Sequence, residues 1–170
     1  MTDPVAAAAA PYRVTLVCLG NICRSPMAHV VLEDRLEAAG LGDRFTVTSS
    51  GTGGWHTGDP MDPRAAATLT EAGYDASRHR ARKFSIDSYA ENDLILVMDH
   101  SNEADVLELA PTVEEQQKVR MYRSFDPEAG PDDLEVPDPW FGDEGGFTRV
   151  LAMVERTSDA LTEHLRPSAP

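Results

Sequence analysis

The sequence predicts a single three-layer α/β domain, a small parallel sheet of about four strands with helices on both faces. Three observations lead there. Strand-like and helix-like segments alternate along the whole chain, as crossover connections between parallel strands require. Segment 94–98 (LILVM) is an uninterrupted apolar run, the pattern of a strand buried on both faces. A glycine-containing loop follows the first strand-like segment, and in such sheets ligands bind beyond the carboxyl ends of the strands.

The elements follow in order. Tyr12–Cys18 (YRVTLVC) is β-rich. Ser25 and Pro26 read as N-cap and first helical position. Ala28, Leu32, Leu36 and Ala39 recur at helical spacing, and Gly40 closes that helix. Segment 45–49 (FTVTS) is a second strand, followed by a loop rich in Gly, Trp, Asp and Pro. A helix spans about 63–72 and stops at Gly73. After the 94–98 strand come a helix over 101–110, stopped by Pro111, and a short strand over 119–122. Residues 125–146 are rich in Pro, Gly and Asp and lack periodicity, which suits a functional loop. Phe147, Val150, Leu151, Val154, Leu161 and Leu165 then lie along one stripe of a final helix. The expected domain is 12–166, with flexible tails at 1–11 and 167–170.

The chain has 170 residues, enough for one domain with a proper core, and its 41% hydrophobic and 26% charged residues are those of a globular protein. Its net charge of −14 repels polyanions, so neither nucleic acid nor an anionic membrane is an expected partner. No apolar run approaches a membrane span. The first eleven residues lack a basic n-region, so they read as a tail rather than a signal peptide. The cytoplasm and a monomer are the default expectations.

The only two cysteines, Cys18 and Cys23, lie in one short stretch, CLGNICRS. A loop this short between a strand and a helix can curl its backbone N–H groups into an anion nest, reinforced by the helix N-terminus. Gly20 permits close approach, and Asn21 tolerates a left-handed turn. The planar fork of Arg24 suits two oxygens of a phosphate. A helix N-terminus and a cation favour the thiolate form of a cysteine. Cys18 is therefore the candidate nucleophile toward a bound phosphate, with Ser25 placed to hydrogen-bond its sulfur. Leu19, Ile22 and Cys23 complete the loop. A half zinc site is the competing reading of the cysteine pair, but no further cysteine completes one, and no metal or other cofactor is expected.

The stretch VCLGNICRSPMA resembles the low-molecular-weight protein tyrosine phosphatases, in their bacterial form, and the likeness runs from about Tyr12 to the last helix. The resemblance implies Cys18 as nucleophile, Arg24 as phosphate clamp, and Asn21 and Ser25 as residues that shape the loop. It implies phosphotyrosine-containing proteins as substrates. Expelling a tyrosine phenolate calls for a general acid. Among several Asp-Pro pairs, Asp138 precedes Trp140 and Phe141 and matches the family's Asp-Pro-aromatic-aromatic-Gly, whereas Asp126 is followed by Pro-Glu-Ala-Gly. Asp138 is accordingly the expected acid, with Trp140 and Phe141 as pocket wall. The family often carries two tyrosines there, so phosphorylation at those positions is not available to this chain. Trp55 in GTGGWHTGDP matches the opposite wall, with a tryptophan capping the core as the other reading. His79 and Asp99 match residues that brace the loop asparagine and serine, and read equally as surface or turn residues. Arg78, Arg80, Arg82 and Lys83 form a solvated turn or a docking patch for acidic phosphopeptides.

Related chemistries on the same scaffold fit less well. Thiol-dependent arsenate reduction needs further cysteines downstream, and protein-arginine phosphatases carry threonine where Ile22 stands. A redox-switched phosphopeptide-binding module would not need Asp138. Cys23 is either an apolar wall behind the loop or the partner of an oxidised Cys18 in a protective disulfide.

Overall fold

The computed structural model describes residues 10–141 and 145–166, with Phe141 described by its backbone alone. Apart from Ala10 and Pro11, the expected tails lie outside the described residues. Ten elements follow in order: β1 (Tyr12–Cys18), α1 (Arg24–Ala38), β2 (Phe45–Gly51), α2 (Pro63–Glu71), α3 (Asp87–Glu91), β3 (Leu94–Val97), α4 (His100–Glu108), α5 (Val113–Gln116), β4 (Val119–Met121) and α6 (Gly145–Leu165). The strands form one parallel sheet in the order β2-β1-β3-β4. β1 thus stands between strands that continue to either side, and its carboxyl end opens at the point where the strand order reverses.

The alternation of side chains along the central strands creates two cores. Val14, Leu16, Leu94 and Leu96 face one side and pack with Val31, Leu32 and Leu36 of α1 and with Val150, Val154 and Leu161 of α6. Val17, Ile95 and Val97 face the other side, against Phe84, Tyr89, Val106 and Met121. That division is why the 94–98 run is apolar without interruption. Gly40 and Gly73 end α1 and α2 with φ of 76° and 93°, in the left-handed region that favours glycine.

Several boundaries differ from the sequence reading. α1 begins at Arg24, with Cys23 rather than Ser25 in the cap position and no side-chain cap bond. The Ser25 hydroxyl is engaged elsewhere, as described below. β2 continues to Gly51 because its last residues pair with Leu16, Val17 and Cys18 of β1. The short helices α3 and α5 are too brief for an amphipathic period to mark them.

The irregular 125–138 segment is tied down at one buried centre. Asp126, whose side chain is fully buried, accepts bonds from Arg123 Nε (3.0 Å), Arg156 Nε (2.8 Å) and Nη2 (3.0 Å), and the Glu128 amide (2.8 Å). Arg123 continues to Asp133 and to the Glu135 carbonyl, both at 2.9 Å. The segment leading to Asp138 is therefore fastened to the end of β4 and to α6. Burial disfavours the Asp126 carboxylate, but Arg156, the Glu128 amide and Arg123 outweigh it and hold its pKa down at about 2. Asp126→Asn is expected to destabilise the fold by about 3 kcal/mol, because it leaves the Arg123 charge buried and poorly paired. Urea unfolding at neutral pH measures this. A carboxyl depressed in the folded state stabilises fully above its unfolded pKa of about 4. Its contribution fades as pH falls toward 2, and the variant loses that part of the acid dependence.

Candidate active site

A pocket of about 230 Å³ opens at the carboxyl end of β1. It is lined by Cys18, Leu19, Gly20, Ile22, Cys23, Arg24, Trp55, His56, Asp138 and Trp140. Its floor is the loop between β1 and α1. Asn21 takes the left-handed conformation there, with φ of 58°. Its buried side chain is saturated: Nδ2 donates to Ser25 Oγ (2.8 Å) and Ser49 Oγ (3.1 Å), and Oδ1 accepts from the Arg82 amide (2.9 Å). Its carbonyl accepts from His79 Nε2 at 2.7 Å. Burial lowers the His79 pKa, so the ring is neutral at pH 7 and carries its proton on Nε2, the atom that donates to Asn21.

The turn held in this way gathers donors. Among the described residues, the backbone amides of residues 19–25 have no acceptor, although residues 21–25 are buried. A folded chain rarely leaves such groups unmatched, and a run of them at a helix start is a cradle for an anion. Gly51 backs the cradle, since a Cβ there would meet the Leu19 carbonyl at 2.6 Å and the Asn21 amide at 3.0 Å. The end of β2 must therefore be glycine for the loop to close against it.

Cys18 Sγ lies 3.0 Å from Ser25 Oγ. Asn21 donates to that oxygen, and the one Ser25 proton has two acceptors in reach, the sulfur and the Ser50 carbonyl at 3.3 Å. Arg24 is 2% exposed and uses Nη1 for Asp99 (2.7 Å) and the Val136 carbonyl (3.0 Å). Nε and Nη2 make no hydrogen bond among the described residues, and this edge of the fork lies toward Asp138, whose Oδ2 is 3.7 Å from Nη2. Burial works against the Arg24 charge, but Cys18, Asp99 and Asp138 around it raise its pKa. Burial pushes the Cys23 thiol well up, with Asp62 and Cys18 adding to the effect.

The structure brings Cys18, Arg24, Ser25, Trp55, Asp138 and Trp140 to one site. Trp55 is 72% exposed at the mouth, which excludes its reading as a core cap. His79 touches the loop asparagine through its backbone carbonyl. Asp99 bonds Arg24 rather than the asparagine or serine, because it caps α4 directly beneath the guanidinium. The Phe141 side chain lies outside the described residues. Asp126 is engaged by arginines away from the pocket. The basic turn is also engaged: Arg78 lies near Glu33 and Asp75, Arg80 bonds the His79 carbonyl, and Arg82 bonds the Ser49 carbonyl. Sequence reasoning missed His56, whose ring lies against Gly20 and tilts onto Trp140 at 6.3 Å. The adjacent Trp-His pair in the loop was its only signal.

Comparison with known proteins agrees with this geometry. The model of the family described as "Low molecular weight phosphotyrosine protein phosphatase" matches residues 13–169. A "Low molecular weight protein-tyrosine-phosphatase" of Streptomyces coelicolor is 45% identical over 155 residues, covering 91% of this chain and 94% of that one. The "Low molecular weight protein-tyrosine phosphatase A" of Mycobacterium tuberculosis is 43% identical over 85% of this chain and 86% of its own. The crystal structure of a protein tyrosine phosphatase from Entamoeba histolytica superposes with a TM-score of 0.86 at 30% identity, covering 94% of this chain and 99% of that one. Likeness in sequence and fold over nearly the full length means that the chain belongs to the low molecular weight phosphotyrosine protein phosphatase family.

Proposed function

We propose that the protein hydrolyses phosphotyrosine in phosphoproteins through a phosphocysteine formed on Cys18. The observation that carries the reading is the run of unmatched amides at residues 19–25, which follows Cys18 directly on the pocket floor and includes Arg24, whose Nε and Nη2 make no hydrogen bond among the described residues. A tetrahedral dianion satisfies those donors, and the same donors stabilise the charge on its oxygens during transfer. Trp55 and Trp140, exposed at the mouth, offer ring faces to the phenol of a bound phosphotyrosine.

The steps follow from placement. The Cys18 thiolate attacks phosphorus, the bond from phosphorus to the phenol oxygen breaks, and Asp138 gives its proton to that oxygen. Tyrosine leaves, and the phosphoryl group stays on sulfur. Asp138, now a carboxylate, takes a proton from a water that attacks phosphorus. The phosphorus–sulfur bond breaks, inorganic phosphate departs and the thiolate is restored. Ser25 steadies the sulfur as it leaves. Charge compensation comes from Arg24 and the amides, so activity is expected to persist in a chelator. The setting that suits a free thiol nucleophile is the reducing cytoplasm.

Hydrolysis of phosphotyrosine peptides by wild type, Cys18→Ser and Asp138→Asn tests the reading. Cys18→Ser is expected to lose activity by on the order of 10⁴-fold or more. For Asp138→Asn the expected fall is about 10²-fold, smaller with activated phenols that leave without a proton. Undiminished turnover by Cys18→Ser would falsify the proposal.

Cys23 lines the same pocket, and both cysteines are free thiols. In this reading peroxide oxidises Cys18 to the sulfenic acid, Cys23 sulfur displaces water from it, and a disulfide results. Because burial keeps Cys23 protonated, the closure is slow at neutral pH and faster in alkali. Peptide mass spectrometry after peroxide is expected to find a Cys18–Cys23 bridge. Sulfinic acid on Cys18 with no bridge counts against it.

A further inference from the structure

Arg64, in the first turn of α2, is not accounted for by phosphate binding or by proton transfer. It nevertheless links the pocket wall to two neighbouring elements. Its Nε (3.2 Å) and Nη2 (3.1 Å) are bonded to the two carboxylate oxygens of Asp62, which fixes the plane of the guanidinium. Its carbon lies over two rings, 5.0 Å from the Trp140 centroid and 4.8 Å from that of Phe147. Nη1 reaches the Trp140 carbonyl at 3.5 Å.

Each end of this bracket is anchored. The Asp62 side chain is 5% exposed and caps α2 by accepting from the Arg64 amide at 2.8 Å. The Asp62 amide donates to the Ile22 carbonyl at 2.9 Å, so the bracket is fastened to the phosphate-loop backbone. Phe147 is buried in the core at the start of α6. At the other end the Trp140 amide donates to Asp138 Oδ1 at 3.0 Å, so the position of Trp140 and the direction of the Asp138 carboxyl change together.

We infer that Arg64 is a positioning residue, which holds Trp140, and through it the Asp138 carboxyl, at a set distance from the phosphate loop. The inference rests on the proposed phosphatase reaction. A planar guanidinium stacks on both rings while its edge serves Asp62, and a lysine ammonium cannot do both. The Arg64 side chain is 47% exposed, and an ion pair so open to water contributes little to folding. Its value lies in where it places the acid, and that difference is measurable.

A misplaced acid harms a reaction only as far as the leaving group needs a proton. The test is kcat/KM for a phosphotyrosine peptide and for 2,4-dinitrophenyl phosphate, in wild type, Arg64→Ala and Arg64→Lys, with inorganic phosphate as competitive inhibitor. Arg64→Ala is expected to lose about tenfold on the peptide and less than about twofold on the dinitrophenyl ester. Inhibition by phosphate should stay unchanged, because the loop itself is untouched. Arg64→Lys, which keeps Asp62 paired, should resemble Arg64→Ala, and it carries the same test if the alanine variant folds poorly. Equal losses on both substrates, no loss on either, or full activity in Arg64→Lys would each overturn the inference. Wild type that hydrolyses neither substrate overturns the phosphatase reading instead.

Discussion

The saturated Asn21 side chain is the interaction on which the site depends. A left-handed turn in the middle of a buried loop is costly for a residue with a side chain. Here it is held by two serine hydroxyls, the Arg82 amide and the neutral His79 ring. Without that turn the chain has no reason to leave consecutive buried amides unmatched. With it, the unmatched amides lie together where β1 ends and α1 begins, and the partial positive charge of the helix start adds to them. The loop is thus organised before any anion arrives, which is the condition for fixed dipoles to lower a barrier rather than reorganise during it.

Around that floor the fold supplies three independent supports. The Asp99 cap of α4 holds one edge of Arg24 and leaves the other toward the pocket. The Asp126 centre fastens the irregular segment that brings Asp138 across from Cys18. Asp62 and Arg64 tie the end of that segment back to the loop. All three are carboxylate–arginine arrangements in a chain with 29 acidic and 15 basic residues. The acid excess keeps a repulsive field around the molecule, so local donors rather than long-range attraction are what the fold offers to an anion.

Ser25 precedes a proline near the helix start, where a cap is the ordinary use of its hydroxyl. Instead the oxygen accepts from Asn21 and lies 3.0 Å from the Cys18 sulfur, with the Ser50 carbonyl at 3.3 Å. α1 begins without a side-chain cap, its stability coming from the burial of Val31, Leu32 and Leu36. Local helix chemistry gave way to the contacts with Asn21 and Cys18, as is expected at functional sites.

Sequence alone determined the parallel α/β architecture, because strand and helix periods alternate and 94–98 is apolar throughout. It also determined the make-up of the loop, because Cys18, Gly20, Asn21, Arg24 and Ser25 fall within eight residues whose backbone geometry short spacing controls. The rings that follow Asp138 set it apart from Asp126, and the fold places Asp138 at the pocket and buries Asp126 among arginines. What tertiary structure decided are the contacts between residues distant in sequence. It turned Asp99 to Arg24, 75 residues away, rather than to the asparagine or serine. It brought the Arg82 amide and His79 to Asn21, and set His56 and Arg64 beside Trp140. Such pairings depend on where separate elements meet in the fold, and no periodicity or local motif encodes that.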